Sequence, residues 1–216
     1  MEYSALRARV SAHHLDIFGA FHPGPGDDAP AGTETLVLLG PREPEFWAHV
    51  TAEPEFTDRK PDPMDRWSRR VIGRLACDLG AKARFPFGGP PFAPFIRWAT
   101  RTGRAWTSPV SILVHDTAGL MVSYRGALAL KQRIALPEPP GAPPCETCHK
   151  PCLTACPVSA LTPQGYDTTA CHAYLDSVQG ETCLSAGCAV RRACPLSQSY
   201  GRQPAQSAFH MRSFHP

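Results

Sequence analysis

Eight of the nine cysteines crowd between residues 145 and 194, and sulfur at that density is where this chain can do chemistry. The run reads Cys145-x2-Cys148-x3-Cys152-x3-Cys156-Pro157, followed by Cys171, Cys183, Cys188 and Cys194-Pro195. Thiolates are soft ligands and good nucleophiles, so this spacing suits a metal or metal–sulfur centre, thiol redox chemistry or a disulfide framework. The cysteine count is odd, and Met1-Glu2-Tyr3-Ser4 lacks the basic-then-apolar order of a secretory signal, which argues against disulfides. A cytoplasmic location follows as the expectation.

Bacterial two-cluster ferredoxins space their ligands Cys-x2-Cys-x2-Cys-x3-Cys-Pro, with three thiolates on one [4Fe–4S] cubane and the fourth on the other. The spacing here is similar, with one extra residue before Cys152 and gaps of x4 and x5 in the last group. Proline after the final cysteine of each group fixes φ and turns the chain away. Two cubanes need eight thiolates. Crossover assigns Cys145, Cys148, Cys152 and Cys194 to one and Cys156, Cys171, Cys183 and Cys188 to the other. The expectation is an iron–sulfur protein that passes single electrons between two neighbouring clusters. Structural zinc is the bland alternative, because four-thiolate zinc sites also begin with Cys-x2-Cys. Cys77, beside Leu75 and Leu79, reads as a core residue.

The elements that must position these thiols are partly legible. The stretch Pro137 to Pro144 holds five prolines in eight residues, and such chain cannot continue a helix or central strand. It is read as a linker at 137–144, separating an α+β domain at 1–136 from a cysteine domain at 145–216. Glu34 to Gly40 is an apolar run closed by Gly-Pro, which suits a buried strand. From Asp65 to Leu79, Trp67, Val71, Ile72, Leu75 and Ala76 recur at helical steps, with Asp65 as N-cap and Gly80 as stop. An extended segment at Lys82–Phe87 and a short helix at Pro94–Thr102 follow. Val110–His115 and the chain from Leu120 onward read as a strand pair about Asp116–Gly119, and Gln206–Phe214 reads as a helix. Hydrophobic residues at 43% and charged ones at 19% allow a core, and the small net charge of +3 leaves no footprint for nucleic acid. No apolar run reaches the ~18–20 residues of a membrane span.

The segment from Cys145 to Pro157, with Tyr166 to Leu175 and Cys194-Pro195, resembles the double-cluster module of epoxyqueuosine reductases and reductive dehalogenases. The resemblance covers about residues 143–200 and implies that Cys171, in its Cys-x2-Tyr-Leu context, is a cluster ligand. Upstream, Ile112 to Ala127 looks like the segment preceding the clusters in those reductases. It is also similar to a stretch of the cobalamin-processing decyanase and dealkylase family. That likeness implies a nitroreductase-like α+β sandwich over roughly residues 33–135, followed by a small ferredoxin-like domain. It further implies that the first domain holds cobalamin or a flavin, and that the protein works as a reductase whose clusters act on that cofactor.

Phe85 to Phe92 combines aromatic residues with Gly88 and Gly89, where backbone can approach a flat ligand closely. Phe85, Phe87, Gly88, Gly89 and Tyr124 are the cofactor-binding candidates, between that loop and the Leu120–Arg125 segment. The expected partners are a redox protein or a small-molecule cofactor, with a homodimer completing the site. His115 reads as a hydrogen-bonded structural residue. Arg191 and Arg192 read either as charges beside sulfur or as solvated side chains.

Overall fold

The computed structural model describes residues 1–216. Its elements are α1 (Tyr3–Ser11), β1 (Leu15–Phe21), β2 (Thr35–Pro41), α2 (Phe46–Thr51), α3 (Pro54–Thr57), α4 (Pro63–Asp78), β3 (Lys82–Arg84) and α5 (Phe95–Arg101). There follow β4 (Ala105–Thr107), β5 (Leu113–His115), β6 (Gly126–Leu130), β7 (Leu161–Thr162), β8 (Gly165–Tyr166) and α6 (Thr168–Leu175). Four helices close the chain: α7 (Glu181–Ala186), α8 (Ala189–Ala193), α9 (Pro195–Ser199) and α10 (Pro204–Phe214). Helices and small antiparallel sheets are mixed, and no helix is long and apolar enough to cross a membrane.

The chain forms two compact units. The first joins Met1–Arg104 to Ser123–Gly141, and the second joins Ala105–Val122 to Ala142–Pro216. The proline-rich stretch thus ends the first unit, but residues 105–122, read from sequence as part of the N-terminal domain, group with the cysteines.

In the first unit the sheet order is β1-β2-β6-β3, antiparallel throughout. Every residue of β2 and β6 is buried, which explains why β2 reads as an apolar run rather than an alternating one. β1 carries a bulge at Phe18, between the pairs Ile17↔Leu39 and Gly19↔Leu38. The Phe18 ring then lies over Gly40, where a Cβ would fall 2.2 Å from it.

The amphipathic helix α4 buries Met64, Trp67, Ser68, Val71, Ile72, Leu75 and Ala76. Its start differs from the sequence expectation: Pro63 opens the helix and Asp62 precedes it in the left-handed region, so Asp65 lies inside the first turn. Gly80, at φ +60°, ends it as expected, with Ala81 N–H bonding back to the Ala76 carbonyl at 2.8 Å. Cys77 is exposed, which corrects its reading as core. At about 100° per residue it falls outside the stripe that Ile72, Leu75 and Ala76 present to the interior.

The expected strand pair about Asp116–Gly119 is not formed. β5 pairs backward with β4, and only His115 and Gly119 bridge across the turn. The backbone after Gly119 is satisfied instead by side chains. Leu120 N–H donates to Ser197 Oγ at 2.9 Å, Arg191 donates to the Leu120 carbonyl, and Arg202 donates to the Met121 carbonyl at 2.9 Å. Backbone groups paired in this way have no need of a ladder. Val110, Val114, Leu120, Leu161 and Val190 form the core of the second unit together with Cys152 and Cys194.

Candidate thiol site

Short elements position the eight thiols. Cys145 and Cys148 lie in turns, and Cys152 is buried in a single 3-10 turn at Pro151–Leu153. Cys171 is on α6, a helix started by Asp167, whose carboxylate accepts from Ala170 N–H at 2.9 Å. Cys183 is buried on α7, and Cys188 and Cys194 flank α8. Pro195 is the first residue of α9, so the second Cys-Pro marks a helix start. Gly119 lets the β5 turn approach this region closely, since a Cβ there would lie 2.5 Å from the Ser197 nitrogen and 3.0 Å from the Cys194 sulfur.

All of these cysteines are free thiols. Burial pushes the Cys145 thiol up, and Cys152, Cys194 and Cys148 push it further. Cys152 is raised by burial and then by Cys194 and Cys148, against the pull of its own N–H and that of Leu153. Cys171 is raised by burial and by Cys188, Cys156 and Cys183, while a hydrogen bond from Tyr166 opposes the shift. Cys194 and Cys148 thus act on both Cys145 and Cys152, and Cys188, Cys156 and Cys183 act on Cys171. Donors also point at sulfur. Lys150 N–H reaches Cys148 Sγ at 3.3 Å, Ala160 N–H reaches Cys156 Sγ at 3.2 Å, and Tyr166 O–H reaches Cys171 Sγ at 3.2 Å.

The thiols of each group share a neighbourhood without converging on a centre. No group of three or more His, Cys, Asp or Glu side chains is disposed to hold a metal ion. This corrects the expectation of an iron–sulfur protein relaying electrons between two clusters, and with it the reductase alternative in which such clusters act on a second cofactor. Spacing along the chain set the number of thiols and their closeness. It did not set the direction of each sulfur, and those of Cys148, Cys156 and Cys171 meet hydrogen-bond donors instead.

The cofactor-binding candidates of the first unit are placed as follows. The Phe85 and Phe87 rings are tilted together at 5.3 Å, and Arg69 lies over both, 5.6 and 5.3 Å from their centroids. Arg125 also lies 5.3 Å from Phe87. Gly88 and Gly89 take φ of +147° and +84° in an exposed turn. Tyr124 packs against Phe18 at 6.0 Å and Phe95 at 6.4 Å. Guanidinium groups thus already cover the aromatic pair. The sequence reading missed Arg69 and Arg125 as ring partners, since their signal was only a place on the polar face of α4 and one residue before β6.

His115 is fully buried, and its Nδ1 faces the N–H groups of Thr117 and Ala118 at 3.2 and 3.3 Å, which makes it part of the turn. Arg191 is the charge placed near sulfur: burial pulls its pKa down, while Cys188 and Tyr166 oppose that shift. Arg192 instead reaches back to the end of α7, with Nε donating to the Gly187 carbonyl at 2.9 Å. Comparison with protein-family models, curated proteins and solved structures finds no match.

Proposed function

We propose that the second unit is a thiol module that takes up a soft, thiophilic ligand at two groups of four cysteines. The observation that carries this reading is the gathering of eight free thiols in one unit, with Cys152 and Cys194 buried in its core and Cys145, Cys156 and Cys188 packed against it. Burial and mutual repulsion keep Cys145, Cys152 and Cys171 protonated when free, so uptake must release protons and is favoured by rising pH. The N–H donors at Cys148 and Cys156 supply part of the compensation for thiolate charge. For the first unit, the sequence resemblance supports cobalamin or flavin binding as a separate proposal, for which Arg69 and Arg125 must leave the Phe85 and Phe87 rings. The sequence resemblance supports a nitroreductase-like sandwich as its finer fold.

The test uses full-length protein purified and reduced without oxygen, then offered a thiol-binding organomercurial or a dithiol-binding trivalent arsenical in separate reactions. Residual thiols are mapped by iodoacetamide labelling and mass spectrometry. Uptake should protect Cys145, Cys148, Cys152 and Cys194 together and the other four together, leaving Cys77 labelled. Labelling of all eight at unchanged rates with every probe, or protection that crosses the two sets, would overturn the reading.

A further inference from the structure

The second thiol group differs from the first in one respect. Its Cys171 sulfur is met by a side chain, the Tyr166 phenol, whereas Cys148 is met by a backbone N–H. Tyr166 belongs to a two-residue strand with little structure of its own to hold it. What holds it is the last turn of α10. The Phe214 ring stacks on Tyr166 at 6.0 Å and 17°, and the His172 ring lies 4.7 Å from Phe214. His172 Nδ1 and His215 Nδ1 are 2.6 Å apart, and His215 Nε2 is 2.9 Å from Asp176 Oδ1.

The hydrogen-bond directions follow from the end of this chain. A carboxylate only accepts, so His215 Nε2 carries the proton; in neutral His215 the Nδ1 then accepts, and His172 Nδ1–H donates. His172 and Asp176 are four residues apart at the end of α6, hence on one face, and His215 bridges them. At the other side of α10, Ser207 packs against Gly187, where a Cβ would lie 2.7 Å from the serine Cβ. The helix is thus seated on α7 while its final residues grip α6 next to Cys171.

We propose that Phe214 and His215 form a clamp on α6 that sets Tyr166 against the Cys171 sulfur and restrains the reaction of that thiol with incoming ligand. Its biological meaning rests on the thiol-module reading, but its geometry does not. A thiophile that takes the sulfur lone pair engaged by the phenol must break that hydrogen bond, and the ring swings away only by breaking its stack on Phe214.

The experiment measures iodoacetamide labelling rates of Cys171 and Cys148 by mass spectrometry in the reduced, unliganded full chain, so it is independent of whether any ligand binds. Because losing the phenol hydrogen bond also raises the Cys171 thiol pKa, rates are compared on the high-pH plateau where the thiol is ionised; there Phe214→Ala and His215→Ala should each raise the Cys171 rate about tenfold and leave Cys148 within twofold. Asp176→Asn, at a site 70% exposed where folding is not at risk, should raise Cys171 severalfold. Tyr166→Phe should raise it less than Phe214→Ala, because the ring remains stacked. An unchanged Cys171 rate in Phe214→Ala and Asp176→Asn, or an equal rise at Cys148, would overturn the clamp.

Discussion

Removal of the Asp65 carboxylate should be the most costly single change on the surface of the first unit. Arg125 is only 6% exposed, and its guanidinium donates to Asp65 Oδ1 at 2.5 Å and to Ser68 Oγ at 3.1 Å. Ser68 is fully buried and passes its own hydrogen on to the Met64 carbonyl at 2.7 Å. Breaking a buried ion pair from one side leaves an uncompensated charge and costs about 3–5 kcal/mol. The Asp65 side chain is 35% exposed, so water can partly replace it, and the lower end applies. Asp65→Ala should therefore lose about 3 kcal/mol, and Asp65→Asn, which keeps an acceptor, about 2 kcal/mol. Urea unfolding followed by tryptophan fluorescence suits the measurement, since Trp67 and Trp98 are both fully buried in this unit. With a slope of about 1.5 kcal/mol/M the midpoint should fall by about 2 M for the alanine variant. Arg125→Met introduced into Asp65→Ala should recover part of the loss, because it removes the stranded charge. A cost below about 0.5 kcal/mol for Asp65→Ala, or no recovery in the double variant, would refute the argument.

Two further outcomes follow from packing and charge. Gly40→Ala should destabilise by about 1–3 kcal/mol, since its Cβ would sit 2.2 Å from the buried Phe18 ring, and Phe18→Leu in the same chain should relieve it; thermal unfolding of the three variants decides. His49 stacks on His14 at 4.1 Å, and burial first, then His14, lower its pKa from the usual value of 6.5. The unfolded chain therefore binds a proton more readily. The stability that His49 contributes is complete above about pH 6.5 and lost as pH falls through the folded value. Urea midpoints across that range should decline on acidification, and His49→Gln should flatten the decline; equal slopes in both proteins would contradict it.

Residues near in sequence determined a large share of this molecule. The α4 stripe, the Gly80 stop, the buried β2 run and the α10 segment are all legible because periodicity and backbone sterics act within a few residues. The crowding of eight cysteines was legible for the same reason. Only the tertiary structure decided where backbone and charge find partners from afar. Leu120 and Met121 do not pair as a strand because Ser197, Arg191 and Arg202 satisfy them, and that draws residues 105–122 into the cysteine unit. β1 escaped the sequence reading because Gly19 and the Phe18 bulge interrupt its pattern. Asp65 looked like a helix cap until Arg125, sixty residues on, claimed its carboxylate. Sulfur direction, and with it the failure of the thiols to converge on a metal ion, was likewise invisible. Spacing limits how near thiols can come, whereas their aim depends on donors such as the Tyr166 phenol, itself placed by contacts at the far end of the chain.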